Sequence, residues 1–109
     1  MPVDLLGVMG SGPAWGMASD DLNATLLAWP PGHEVAEHVN VEVDVLLIVL
    51  QGGGLAVVDR LEYALAPGHA LLVAKGSTRT IRAGTAGLRY LSVHRRRGPL
   101  QIGAVPELT

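Results

Sequence analysis

The sequence predicts an all-β sandwich or small barrel. Three observations carry that expectation: apolar segments of strand length recur every 8–12 residues, Gly- and Pro-containing turns separate them, and no stretch shows sustained helical periodicity. At 109 residues the chain has room for one core, and its 49% hydrophobic and 17% charged residues imply extensive two-sided burial. Phe is absent, so Leu, Val and Ala must supply the apolar volume. The formal charge of -2 argues against nucleic acid as a main partner, because phosphate binding calls for a basic excess. Without cysteine there is no disulfide, thiolate ligand or thiol nucleophile. No apolar run approaches the roughly 20 residues that span a bilayer, and the first residues lack the basic start of a signal peptide. The expectation is a cytoplasmic protein with no membrane partner.

Residues 1–21 come before the first expected strand, and of these Met1 to Gly16 are apolar but punctuated by Gly7, Gly10, Gly12, Pro13 and Gly16. They read as an N-terminal arm that packs on a sheet or pairs with a partner subunit, and their glycine spacing is not a dinucleotide fingerprint. Leu22 to Trp29 reads as a strand stopped by Pro30-Pro31-Gly32, where two prolines fix φ and the glycine permits reversal. Glu34 to Asn40 is the next strand, with His38 and Asn40 on one face. Val43 to Gln51 is apolar on both faces and therefore central, with Gly52-Gly53-Gly54 expected to break it. Leu55 to Asp59 and Leu61 to Leu65 make a hairpin through Arg60. Ala70 to Val73, Thr78 to Ala83 and Leu88 to Arg95 follow, separated by Gly68, Gly76 and Gly84. In the last of these, Leu88, Tyr90, Ser92 and His94 share a face. About nine strands result in a barrel of residues 22–97, followed by a C-terminal tail of residues 98–109.

These residues resemble a small single-domain cupin, a double-stranded β-helix (jelly-roll) barrel, from about Leu22 to His94. The first cupin motif, Gly-x5-His-x-His-x3or4-Glu-x6-Gly, is matched by Gly32, His38, Asn40 and the closing Val49-Leu50-Gln51-Gly52. The second, Gly-x5-Pro-x-Gly-x2-His-x3-Asn, lies over Gly68, Ala74, Gly76, Arg79 and Ala83. The resemblance implies a divalent metal held by two histidines, a glutamate and a later histidine. Of these, only His38 is kept: the other positions hold Asn40, Val45 and Arg79, with Asp44 turned to the opposite face unless the strand bulges. No cofactor is therefore expected, and any metal that did bind would have to use His38, Asn40 and Asp44.

The residues the fold would aim into one cavity are His38, Asn40 and Arg79, with Asp44 as a partner for the arginine if a bulge turns it inward. They form the expected ligand-binding set, because an interior guanidinium needs a counter-charge, from protein or ligand. The leading functional expectation is a metal-independent binder of a small anionic or carboxylate-bearing molecule. One alternative is an enzyme: a metal-dependent oxygenase or isomerase, or a metal-free acid/base catalyst using His38 with Tyr90, as some cupin sugar epimerases use a His and a Tyr. Another is a structural or regulatory module without a site. His33 and His69 fall in turns, and His94 heads the basic run Arg95-Arg96-Arg97, read as a solvated strand end. Tyr63 and Tyr90 are expected to pack with a wet hydroxyl. A homodimer is expected, the arm supplying a strand across a two-fold axis to cover a sheet edge.

Overall fold

The computed structural model describes residues 2–96. The expected tail, 98–109, and the last arginine of the basic run lie outside them. After a 3-10 turn at Leu5–Gly7, the chain forms seven strands among the described residues. These are β1 (Gly12–Ala18), β2 (Leu22–Trp29), β3 (Glu34–Val39), β4 (Val45–Val58), β5 (Leu61–Leu65), β6 (Ala70–Val73) and β7 (Thr78–Arg95).

All pairing is antiparallel, and it divides into two facing layers. One layer runs β1–β2–β7–β4–β6, using residues 88–95 of β7 and the first part of β4. The other runs β3–β7–β4–β5, using residues 78–83 of β7 and the second part of β4. Two long strands therefore cross together from layer to layer, which makes the structure a jelly-roll β-barrel.

Four strands begin and end as expected, or within a residue: β2, β3, β5 and β6. The expected breaks at Gly52–Gly54 and Gly84 are not breaks. β4 and β7 run through them, with register shifts at Val49/Gln51 and Gly52/Gly54 that mark bulges. At this corner the two backbones touch. A Cβ on Gly52, whose φ is +76, would collide with the carbonyl oxygen of Gly87, and one on Gly54 with that of Arg82. Glycine here permits close crossing of strands instead of ending one.

The Val58–Leu61 hairpin closes through Asp59 and Arg60, both at positive φ (47° and 71°), the conformation of a two-residue primed turn. Asp59 is further held by its carboxylate, which accepts from Thr78 N at 2.9 Å. That bond keeps its carboxyl below the usual carboxylate range.

Alternation decides what fills the barrel. Leu27, Val45, Leu47, Val49, Ala56, Ile81, Leu88 and Tyr90 are buried in one aliphatic cluster with a single aromatic ring. Leu26 is equally buried but on the other side of β2, where it pairs with Trp15 of β1 and Leu91 of β7. The N-terminal arm is thus a part of its own barrel: β1 pairs with β2, and Arg89 Nη2 donates to Leu5 O (3.0 Å) and Val8 O (2.7 Å). One edge of this arm is therefore paired within its own chain, and β1 stands at the end of the strand order with its other edge unpaired among the described strands.

Candidate functional site

The interior polar residues sit on β3, the turn after it, and β7. His38 pairs with Arg79 across β3 and β7, and Arg79 in turn pairs with Val58 of β4. Both side chains point inward by the alternation that buries Ile81 and Ala83, and Arg79 is only 3% exposed. The bulge between Val35 and His38 lets both Val35 and His38 face the core, although they are an odd number of residues apart.

Asn40 is also buried, but not as a strand residue beside His38. β3 ends at Val39, and the Asn40 carbonyl oxygen Oδ1 accepts from Glu42 N (3.1 Å) and Val43 N (3.2 Å). This is the self-bonding habit of Asn in turns. The main chain is pinned as well, Gly76 N donating to Asn40 O at 2.7 Å. With Oδ1 committed, the amide can face the interior only with its Nδ2 donor, which is buried without a hydrogen-bond partner. Asn40 therefore offers hydrogens, not the carbonyl that a metal would need.

Asp44 lies outside this group. It is exposed, and its carboxylate accepts from Lys75 N at 2.8 Å, so no bulge turns it inward and it is not the counter-charge of Arg79. Val45, at the place where the resemblance puts a glutamate, is fully buried in the core.

Facing Arg79 from the other layer is Tyr90. Its hydroxyl accepts from Trp29 Nε1 at 3.0 Å, which leaves its own proton free to be donated. Burial pushes this phenol up to about 12, against the opposing pull of the Trp29 bond and the Arg79 charge. Tyr90 is thus a neutral donor at any ordinary pH, and its hydroxyl is enclosed, not wet as expected. The Trp29 indole is fixed on its face too, stacked on His33 with ring centroids 4.3 Å apart.

The remaining histidines serve local structure. His69 Nδ1 accepts from Ala66 N at 3.2 Å and closes its own turn. His94 is a correction: it is buried, not a solvated strand end, because alternation from Leu88 turns it inward. Its ring bonds Arg95 O through Nδ1 (2.9 Å) and faces Asn23 Nδ2 through Nε2 (3.4 Å). Tyr63 sits half-exposed on β5.

The donor set does not fit the metal that the resemblance implies. One imidazole, an amide whose oxygen is already used, an aliphatic side chain and a guanidinium occupy the four positions. Among the described residues, no three of His, Cys, Asp or Glu are gathered as ligands.

No family model and no curated protein matches the chain. Solved structures do. TT1209 from Thermus thermophilus superposes with a TM-score of 0.78 at 24% identity, covering 89% of this chain and 98% of that one. KdgF from Halomonas sp. gives 0.72 at 19% identity, with 78% of each chain covered. BF4112, a cupin protein from Bacteroides fragilis, gives 0.65 at 21% identity, with 80% of each covered. With its crossing strands, its layer order and these neighbours, the chain has the fold of the small single-domain cupins.

Proposed function

We propose that this is a metal-independent binding protein of the cupin fold whose barrel interior takes a small anionic molecule, in the simplest case a carboxylate. The observation that carries this reading is Arg79: a permanently charged guanidinium, 3% exposed, set among aliphatic side chains between His38 and Tyr90. Asn40 Nδ2 and the Tyr90 hydroxyl add hydrogen donors on neighbouring walls. A site built of donors and a cation selects an acceptor-rich anion and disfavours a metal ion. In the enzyme alternative His38 is the acid/base group, and Tyr90, being neutral, can only give a proton.

Calorimetric titration with propionate and with propionamide tests the binding reading. Propionate is expected to bind at least about tenfold more tightly, and Arg79→Met, which keeps the side-chain length, is expected to level the two. Equal affinities in the unaltered protein would overturn it and favour a structural module, the reading supported by the close filling of the barrel by Leu27, Val45, Leu47 and Val49.

A homodimer is proposed with its contact on the outer face of the first layer. There Leu46 and Leu72 lie side by side on β4 and β6, both exposed. Sedimentation of the full chain is expected to show a dimer that Leu72→Asp converts to a monomer; a monomer at micromolar concentration before any substitution rules it out.

A further inference from the structure

A cleft outside the barrel interior has no part in that reading. At the corner where the arm, the end of β2 and the two crossing strands meet lies a cleft of about 540 Å³. Its walls include Ser11, Trp29, Pro31, Gln51, Gly87 and Arg89, and none of His38, Asn40 and Arg79 lines it. The volume falls in the range of small-ligand sites.

Two of its walls are fixed before any ligand arrives. The Trp29 indole is held at one edge by Tyr90 and across its face by His33, so the ring cannot swing. The Arg89 guanidinium is held through Nη2 by the carbonyls of Leu5 and Val8, while its Nε is buried without a hydrogen-bond partner. The floor is backbone. A Cβ on Gly52 would meet the Gly87 carbonyl and one on Gly87 the Trp29 carbonyl, so bare backbone lies beside the rings of Pro30 and Pro31. Among the described residues lining the cleft, Arg89 is the one that carries a charge, and no carboxylate opposes it.

We propose that this cleft is a second binding site, independent of the barrel interior, for small aromatic carboxylates. The ring lies against Trp29 and the prolines, whose apolar surface is held in place before binding and costs little ordering. The carboxylate meets Arg89, with Gln51 and Ser11 at hand as further donors.

The test is a titration of the isotopically labelled full chain with sodium phenylacetate and with phenylacetamide, read by amide and indole chemical shifts. Phenylacetate is expected to saturate with a Kd of about 1 mM, as a ten-heavy-atom ligand in an open cleft should. Its shifts are expected to centre on the Trp29 indole and on residues 86–89. Phenylacetamide is expected to bind about tenfold more weakly, and Arg89→Gln to remove the difference. Because Arg89 also tethers the arm, a second variant is needed. Ala86→Trp, at an exposed position on the rim, fills the cleft without touching that tether and is expected to abolish binding of both compounds. The proposal is overturned by equal affinity for acid and amide, or by shifts centred on His38 and Arg79. Binding that survives Ala86→Trp, or no saturation by about 20 mM, overturns it as well.

Discussion

Gly52→Ala is expected to destabilise the barrel by about 3–5 kcal/mol, enough to remove most of the stability of a domain of this size. Two costs combine. The residue holds φ at +76, where a Cβ costs about 1–2 kcal/mol against the following carbonyl. The same methyl would also collide with the Gly87 carbonyl, a backbone atom in a paired strand that cannot rotate aside as a side chain would. Relief requires parting β4 from β7 at the point where both strands change layers, so ladder bonds on either side are lost with it. Thermal unfolding followed by circular dichroism checks this, with a fall in Tm of about 15 °C or more expected. Gly32→Ala is the control. It also replaces a glycine of positive φ (+76), but nothing lies within 4 Å of the point where its Cβ would stand, so only the conformational cost of about 1–2 kcal/mol applies. Equal losses at the two positions would show that the close crossing contributes nothing.

The same glycines show where the sequence is legible and where it is not. Periodicity and turn chemistry place β2, β5 and β6 to the residue, because Pro30-Pro31-Gly32 and Pro67-Gly68 are turns by local sterics alone. Gly52–Gly54 has the same local signature but the opposite meaning. What makes it a bend in a continuous strand is the backbone of β7 lying against it, a contact between residues more than twenty-five positions apart. No local rule reports that distance.

The candidate site divides along the same line. His38 and Arg79 are recoverable from motif spacing, and the structure pairs them directly. Alternation alone turns Asp44 outward, and the structure agrees through its bond to Lys75. Asn40 leaves its expected strand position because its side chain competes with the strand for backbone partners, and the turn wins. Tyr90 and His94 share the expected face of their strand, but which face looks inward depends on the pairing of β7 with β2, set by tertiary packing. The Trp29–Tyr90 bond is hidden from the sequence for the same reason: it joins two residues that share a core only once that register exists.

That bond leads to the second large effect. The unfolded chain releases the Tyr90 proton near pH 10.0, whereas burial in the folded protein pushes it up to about 12. Between those values the folded state binds more protons than the unfolded state, so raising the pH favours unfolding. The associated stability is fully present below pH 10, declines through the window between pH 10 and about 12, and is gone above it. The expected loss is about 2–3 kcal/mol, with a slope of about 1.4 kcal/mol per pH unit. Tyr90→Phe should remove this slope, but at a cost at neutral pH: the Trp29 N–H loses its acceptor, which is worth about 1–3 kcal/mol for a partly buried donor. The variant is therefore expected to be less stable than the parent at pH 7 and to draw level with it near pH 12. Arg79→Met acts the other way: removing the nearby cation takes away an interaction that eases ionisation in the folded protein, so the decline still begins near pH 10 but ends at a higher pH. Urea unfolding at fixed pH values from 7 to 12 separates the parent from Tyr90→Phe. Parallel curves for the parent and Tyr90→Phe across that window would show that the phenol is not enclosed as described, and the donor wall opposite Arg79 would fall with it.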